Sequence, residues 1–152
     1  MKNLFLRRLP LTCMVLMLIV CMILSGCASR TAPTADTFTA ACEEAGYVPE
    51  DASALFDPTV VATALTYSDT EVAIGYYNFL DPASAKSNYA QLLSDVKTGA
   101  SYEKFIDSSE YNRFYGDDGS SVVLLYRNGT TFIYVSGMNT EALNNLIDTL
   151  GI

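Results

Sequence analysis

The chain contains no histidine. That absence removes the commonest general base, the Ser-His-Asp type of triad and most zinc sites. Cysteine is nearly as scarce: of the four present, Cys13 and Cys21 lie inside an apolar N-terminal run, and only Cys27 and Cys42 come after it. No disulfide-rich framework can be built from so few, and the core must rest on packing. Positive charge is also thin. Nine Lys plus Arg stand against 17 Asp plus Glu, and three of the basic residues, Lys2, Arg7 and Arg8, precede every acidic one. Residues 27–152 therefore carry six basic and 17 acidic side chains, a net charge of −11. Nucleic-acid affinity depends on Lys and Arg neutralising phosphates, so a nucleic-acid partner is excluded. Anionic lipid headgroups would repel the same surface. The acidity itself is read as the charge that keeps an exposed domain soluble.

What the chain does have is a sharply divided N-terminus. Lys2, Arg7 and Arg8 lead into an apolar run, Leu9 to Leu24, broken only by Pro10 and Thr12. A positive end, an apolar middle and a small-residue cut site are the parts of an export signal. The run spans 16 residues, short of the ~20 that a membrane-crossing helix requires. At its end, Leu24-Ser25-Gly26-Cys27 resembles the bacterial lipobox position by position. The resemblance implies a diacylglycerol on the Cys27 sulfur, cleavage just before it, and a mature protein that starts at Cys27 and is tethered outside the cytoplasm. Two acyl chains hold stably, because each buried methylene contributes ~0.8 kcal/mol. Ala28 follows Cys27, so the acidic residue that retains such proteins at the inner membrane of two-membrane bacteria is absent. The layout as a whole resembles small bacterial lipoproteins, a likeness that brings no functional residue beyond Cys27.

The expected organisation is a signal peptide over 1–26, a flexible tether over 27–35 and a single α+β domain over 36–152. Thr34 or Asp36 caps a helix in which Phe38, Ala41, Cys42 and Ala45 recur at helical spacing before Gly46. Cys42 falls on its apolar side and is read as a small core residue, with no partner in the chain once Cys27 is acylated. A loop from Tyr47 to Pro58 holds one helical turn at Ser53 to Phe56. Two β-rich stretches, Val60 to Tyr67 and Glu71 to Leu80, form a hairpin. The second has apolar residues on both its faces, as a strand covered from both sides should. Asp81-Pro82 opens a helix with Ala85, Tyr89, Leu92, Leu93 and Val96 in one stripe, ending at Thr98-Gly99. Strands follow at 101–106, 110–115, 121–127 and 130–136, with a type I′ turn expected at Asn128-Gly129. Asn139 or Thr140 caps a last helix whose inner face is Leu143, Leu146, Ile147 and Leu150. The order is α-β-β-α-β-β-β-α, counting the 101–115 stretch once, with a mostly antiparallel sheet packed by helices.

Few constellations suggest chemistry. Ser94-Asp95-Val96-Lys97 and Lys97-Thr98-Gly99 resemble the S-x-x-K and K-T-G motifs of penicillin-recognising serine enzymes. In that family the motifs lie far apart on separate elements, whereas these share Lys97, so they are read as an exposed helix end. Asp117-Asp118-Gly119-Ser120 lacks the further ligands and distal Glu of a calcium loop and is read as a turn. The ten tyrosines all lie in the mature domain, and their broad apolar rings with polar tips suit a binding surface. Tyr76, Tyr77, Tyr111 and Tyr115 are the candidate contacts, although Tyr76 and Tyr77 must point to opposite faces of one strand. The expectation is a non-enzymatic, membrane-anchored module that needs no cofactor or metal and binds a small molecule or an envelope protein. The alternatives are a histidine-free hydrolase or transferase using carboxylate, Tyr or Ser groups, and a purely structural envelope component.

Overall fold

Among the described residues, seven strands form one antiparallel sheet, and three helices supply its cover. The computed structural model describes residues 31–96 and 102–152. In chain order the elements are α1 (Ala35–Glu44), β1 (Glu50–Asp51), a 3₁₀ turn (Ser53–Leu55), β2 (Val61–Ser68), β3 (Val72–Phe79) and α2 (Pro82–Val96). They continue with β4 (Tyr102–Asp107), β5 (Tyr111–Asp117), β6 (Ser121–Asn128), β7 (Thr131–Met138) and α3 (Glu141–Leu150). The strand order is β1-β2-β3-β7-β6-β5-β4, and every neighbouring pair is antiparallel. The α+β class and antiparallel sheet expected from the sequence are what the chain adopts. No helix among the described residues is long and apolar enough to cross a membrane.

Local signals in the sequence set most element ends. Thr34 accepts a hydrogen bond from the Thr37 N–H at 3.2 Å and caps α1, and Pro33 before it is already buried. Asp81 caps α2 through the N–H groups of Ala83 and Ser84, both at 2.9 Å, which satisfies donors the helix start leaves orphaned. Thr140 caps α3, accepting from the Leu143 N–H at 3.3 Å. The β6–β7 turn departs from expectation. Asn128 pairs with Thr131, so the loop residues are Gly129-Thr130 rather than Asn128-Gly129. Only Gly129 has positive φ, at 58°, which is the type II′ pattern with glycine at the first central position. Glu50–Asp51, expected within a loop, instead pairs with Leu65 and Thr66 as a short edge strand. The C-terminal end expected for α2, Thr98-Gly99, lies outside the described residues.

Each face of the sheet has its own core. Val72, Ile74 and Tyr76 on β3, Val122, Leu124 and Tyr126 on β6, and Ile133 and Val135 on β7 point to one face. There α1 contributes Phe38, Ala41 and Cys42, and α3 contributes Leu143, Leu146, Ile147 and Leu150. On the other face, Ala64, Phe79, Phe114, Leu125 and Phe132 meet Ala85 and Tyr89 of α2. Central strands buried on both faces read as nearly continuous apolar runs, which explains the mixed pattern of β3 and β6.

The α2 face also buries a cation. Arg127, 1% exposed, donates from Nε to Asn112 Oδ1 at 2.5 Å, from Nη1 to the Gly129 carbonyl at 3.2 Å and from Nη2 to the Ser109 carbonyl at 2.9 Å. Asn112 in turn donates to Asp107 Oδ1 and to the Ser108 carbonyl. Burial lowers the guanidinium from its ordinary value, and the Asp107 carboxylate opposes that most strongly. Above them the Tyr89 hydroxyl has no hydrogen-bond partner among the described residues. Removing one partner of a buried charge strands the other, whereas removing an unpaired hydroxyl strands nothing. Asn112→Ala is therefore expected to cost about 2–4 kcal/mol in denaturant unfolding, and Tyr89→Phe to shift stability by less than about 1 kcal/mol. Equal costs for the two would show that the network does not hold the buried guanidinium.

Surface turns depend on ionised aspartates. Hydrogen bonds from Ser53, from Thr59, from the Glu71 N–H, from Ser84 and from the Ser121 N–H hold the carboxyls of Asp51, Asp57, Asp69, Asp81 and Asp118, respectively, below their ordinary value. A folded-state pKa below the unfolded one contributes stability that is complete above the unfolded value and lost as pH falls through the folded values. The thermal midpoint is thus expected to fall gradually below about pH 4, each exposed carboxyl contributing little because solvent screens it. A midpoint unchanged down to about pH 2 would contradict it.

Candidate functional site

The four candidate tyrosines do not share a surface. Tyr76 is buried, 4% exposed, with its ring 5.3 Å from Phe38 of α1. Tyr111 and Tyr115 are half-buried on that same face. Tyr111 packs edge-on to Tyr126 at 5.5 Å, and the Arg113 guanidinium lies over the Tyr115 ring at 5.6 Å. Two strands, β7 and β6, separate Tyr76 from them, a distance of about 14 Å across the sheet. Tyr77 alone points to the α2 face, as strand alternation requires.

Tyr77 is also the one that reaches a groove. On β7, Phe132 stands directly opposite Tyr77, and Tyr134 stands opposite Gly75. A Cβ at Gly75 would meet the Tyr77 ring at 2.7 Å, so the glycine is what lets that ring lie down along its own strand. The Tyr77 and Phe132 rings stack at 5.9 Å with 25° between their planes, forming the floor. One wall is α2, through Asn88 and Leu92; the other is the segment after the 3₁₀ turn, through Phe56, Asp57 and Val60. Phe56 closes edge-on over Tyr77 at 5.5 Å. The groove encloses about 470 Å³, within the range of small-molecule sites.

Its polar groups are few and fixed. The Asp57 carbonyl accepts from the Val60 and Val61 N–H groups at 2.9 and 3.0 Å. Its Oδ1 accepts from the Thr59 N–H at 2.8 Å and the Thr59 hydroxyl at 2.7 Å. Tyr134 Oη and Ser136 Oγ are hydrogen-bonded at 2.6 Å. Burial, and then the neighbouring Tyr134, raise the Tyr77 phenol, so it stays a neutral donor. Among the described residues, the lining holds no Lys or Arg and one carboxylate, Asp57.

Other places hold less. A wider depression of about 700 Å³ between the end of α1 and the start of α3 is lined mainly by polar side chains, among them Glu44, Glu141 and Asp148. No group of residues suited to holding a metal ion occurs among the described residues, and Asp117 and Asp118 are engaged as turn acceptors for Gly119, Ser120 and Ser121. Ser94 and Asp95 lie exposed at the end of α2, while Lys97-Thr98-Gly99 and Cys27 lie outside the described residues. Sequence reasoning missed Phe56, Asp57, Phe132 and Tyr134; only Tyr134 carried a signal, as one of the strand tyrosines.

No protein-family model matches the chain, and no curated protein matches it. Among solved structures, a GTP-binding regulator from Thermotoga maritima is similar at 12% identity and a TM-score of 0.46, over 78% of this chain and 84% of that one. Likeness at that level carries no argument about fold or activity.

Cys42 is the one free thiol among the described residues. It is fully buried, and burial, then the Glu43 charge, push its pKa up to about 12. A thiol so placed is unreactive. Iodoacetamide at about pH 8 is expected to leave Cys42 unmodified in the folded protein and to alkylate it fully in guanidinium. Rapid labelling without denaturant, read by mass spectrometry, would refute its assignment to the closed core.

Proposed function

We propose that this protein is an extracytoplasmic, lipid-anchored binding module of the bacterial cell envelope, tethered through Cys27 and holding a small ligand in the aromatic groove. The reading rests above all on Leu24-Ser25-Gly26-Cys27 at the end of a basic-then-apolar N-terminus. For the binding half, support comes from a concave, ring-lined site with few, fixed polar groups, the usual make-up of small-molecule sites. For the alternative of a histidine-free enzyme using carboxylate, Tyr or Ser groups, the described groove lining offers one carboxylate, Asp57, and no convergent pair.

The address is tested by expressing the full-length chain in a bacterial host, fractionating the cells and weighing the N-terminal peptide. A diacylglyceryl-modified Cys27 in the membrane fraction is expected, and Cys27→Ser is expected to block both modification and cleavage. An intact Met1 terminus or an unmodified Cys27 in the wild-type protein would overturn the assignment.

A further inference from the structure

We propose that the groove between α2 and the Phe56–Val60 segment binds a small organic ammonium ion, its cationic head between Asp57 and the rings of Phe56 and Tyr77. The inference rests on reading this groove as the module's ligand site and adds the ligand's chemistry. Three observations carry it. First, the site is aromatic at a corner: the Tyr77 and Phe132 rings stack, and Phe56 stands at 74° to Tyr77. Ring faces are negative at their centres and attract a cation within about 6 Å, most strongly when water is partly excluded. Second, the only side chain in the described lining that is charged at neutral pH is a carboxylate. Asp57 Oδ1 is occupied by Thr59, while Oδ2 takes part in none of the hydrogen bonds found among the described residues, on a side chain that is exposed and borders the groove. Third, no cationic side chain among the described lining residues would balance an anion's charge, and the chain has no histidine.

The geometry also argues for a small molecule over a protein segment. The groove is concave and about 470 Å³ in volume, the scale of a compact ligand. The turn that presents Asp57 is held by the Val60 and Val61 N–H groups, so the carboxylate is set in place before a ligand arrives. Hydrogen bonds from Thr59 hold Asp57 below the ordinary carboxylate range, which keeps it charged at neutral pH.

The test uses three probes with one ring and three charges: benzyltrimethylammonium, benzyl alcohol and benzoate. The full-length protein in a non-ionic detergent is titrated with each, following the ring resonances of Tyr77 and Tyr134, assigned through their Tyr→Phe variants. The ammonium probe is expected to bind about tenfold more tightly than the alcohol, and benzoate more weakly than either. Asp57→Asn is expected to remove most of that tenfold preference while leaving benzyl alcohol unchanged. Phe56→Leu, which keeps apolar bulk but removes the ring, is expected to weaken the ammonium more than the alcohol. Equal affinity for ammonium and alcohol would overturn the ligand class and leave the groove as an apolar site. Absence of any Tyr77 or Tyr134 shift with all three probes would overturn the groove as the ligand site as well.

Discussion

A single antiparallel sheet whose central strands are apolar on both sides must be covered on both sides, and that requirement governs the rest of the structure. Tyr76 and Tyr77 illustrate it at one step of β3. The first is sealed beneath Phe38 of α1, while the second faces the opposite core and α2. Burial of apolar area is the dominant favourable contribution to folding, so α1, α3 and α2 are held where their stripes meet these two faces. The buried guanidinium of Arg127 is compatible with this only because Asn112 and two carbonyls accept its hydrogen bonds.

The two faces are not covered equally, and the groove follows from the difference. On one side α1 and α3 pack against each other as well as on the sheet. On the other, α2 lies over β6, β7 and β3, while β2 is met by the 3₁₀ turn instead of a helix. A 15-residue helix is only about 10–12 Å wide with its side chains, so it cannot span both the centre of the sheet and its β2 side. Between its flank and the turn, the Tyr77 ring remains half-buried with the buried Phe132 stacked beside it, and Phe56 is the side chain that leans over Tyr77.

Local chemistry made much of the fold legible from sequence. Thr34, Asp81 and Thr140 cap helices because a side-chain oxygen before an apolar stripe has few other uses. The opposite directions of Tyr76 and Tyr77 follow from the period of a strand. The misplaced turn at Asn128 shows where that reasoning weakens: strand pairing aligned Asn128 with Thr131, so register prevailed over the dipeptide preference. Glu50–Asp51 had no alternation to betray it, since its pairing is set by where Ser53 and Ala64 meet, Ser53 Oγ accepting from the Ala64 N–H at 2.9 Å. The groove was hidden for a different reason. Tyr77 is set beside Phe132 and Tyr134 by the β3–β7 pairing, a contact between segments more than 50 residues apart that no local pattern encodes, and Phe56 and Leu92 reach the same groove from a loop and from α2.

Stability and recognition therefore sit in part on different side chains. Phe38, Tyr76, Leu124 and Leu146 are closed into the core, where a truncation leaves a cavity and costs several kcal/mol, about 2–5 for the larger apolar residues. Phe56, by contrast, is exposed on a connecting segment, whose conformation is fixed by the Val60 and Val61 N–H groups on the Asp57 carbonyl and by Thr59 on the Asp57 carboxylate rather than by the burial of Phe56. Side chains of that kind can change with little effect on folding. A rigid scaffold bordered by such a loop separates the two demands only in part: Tyr77 and Phe132 serve the sheet and the groove together, while Phe56 faces the groove from the loop alone.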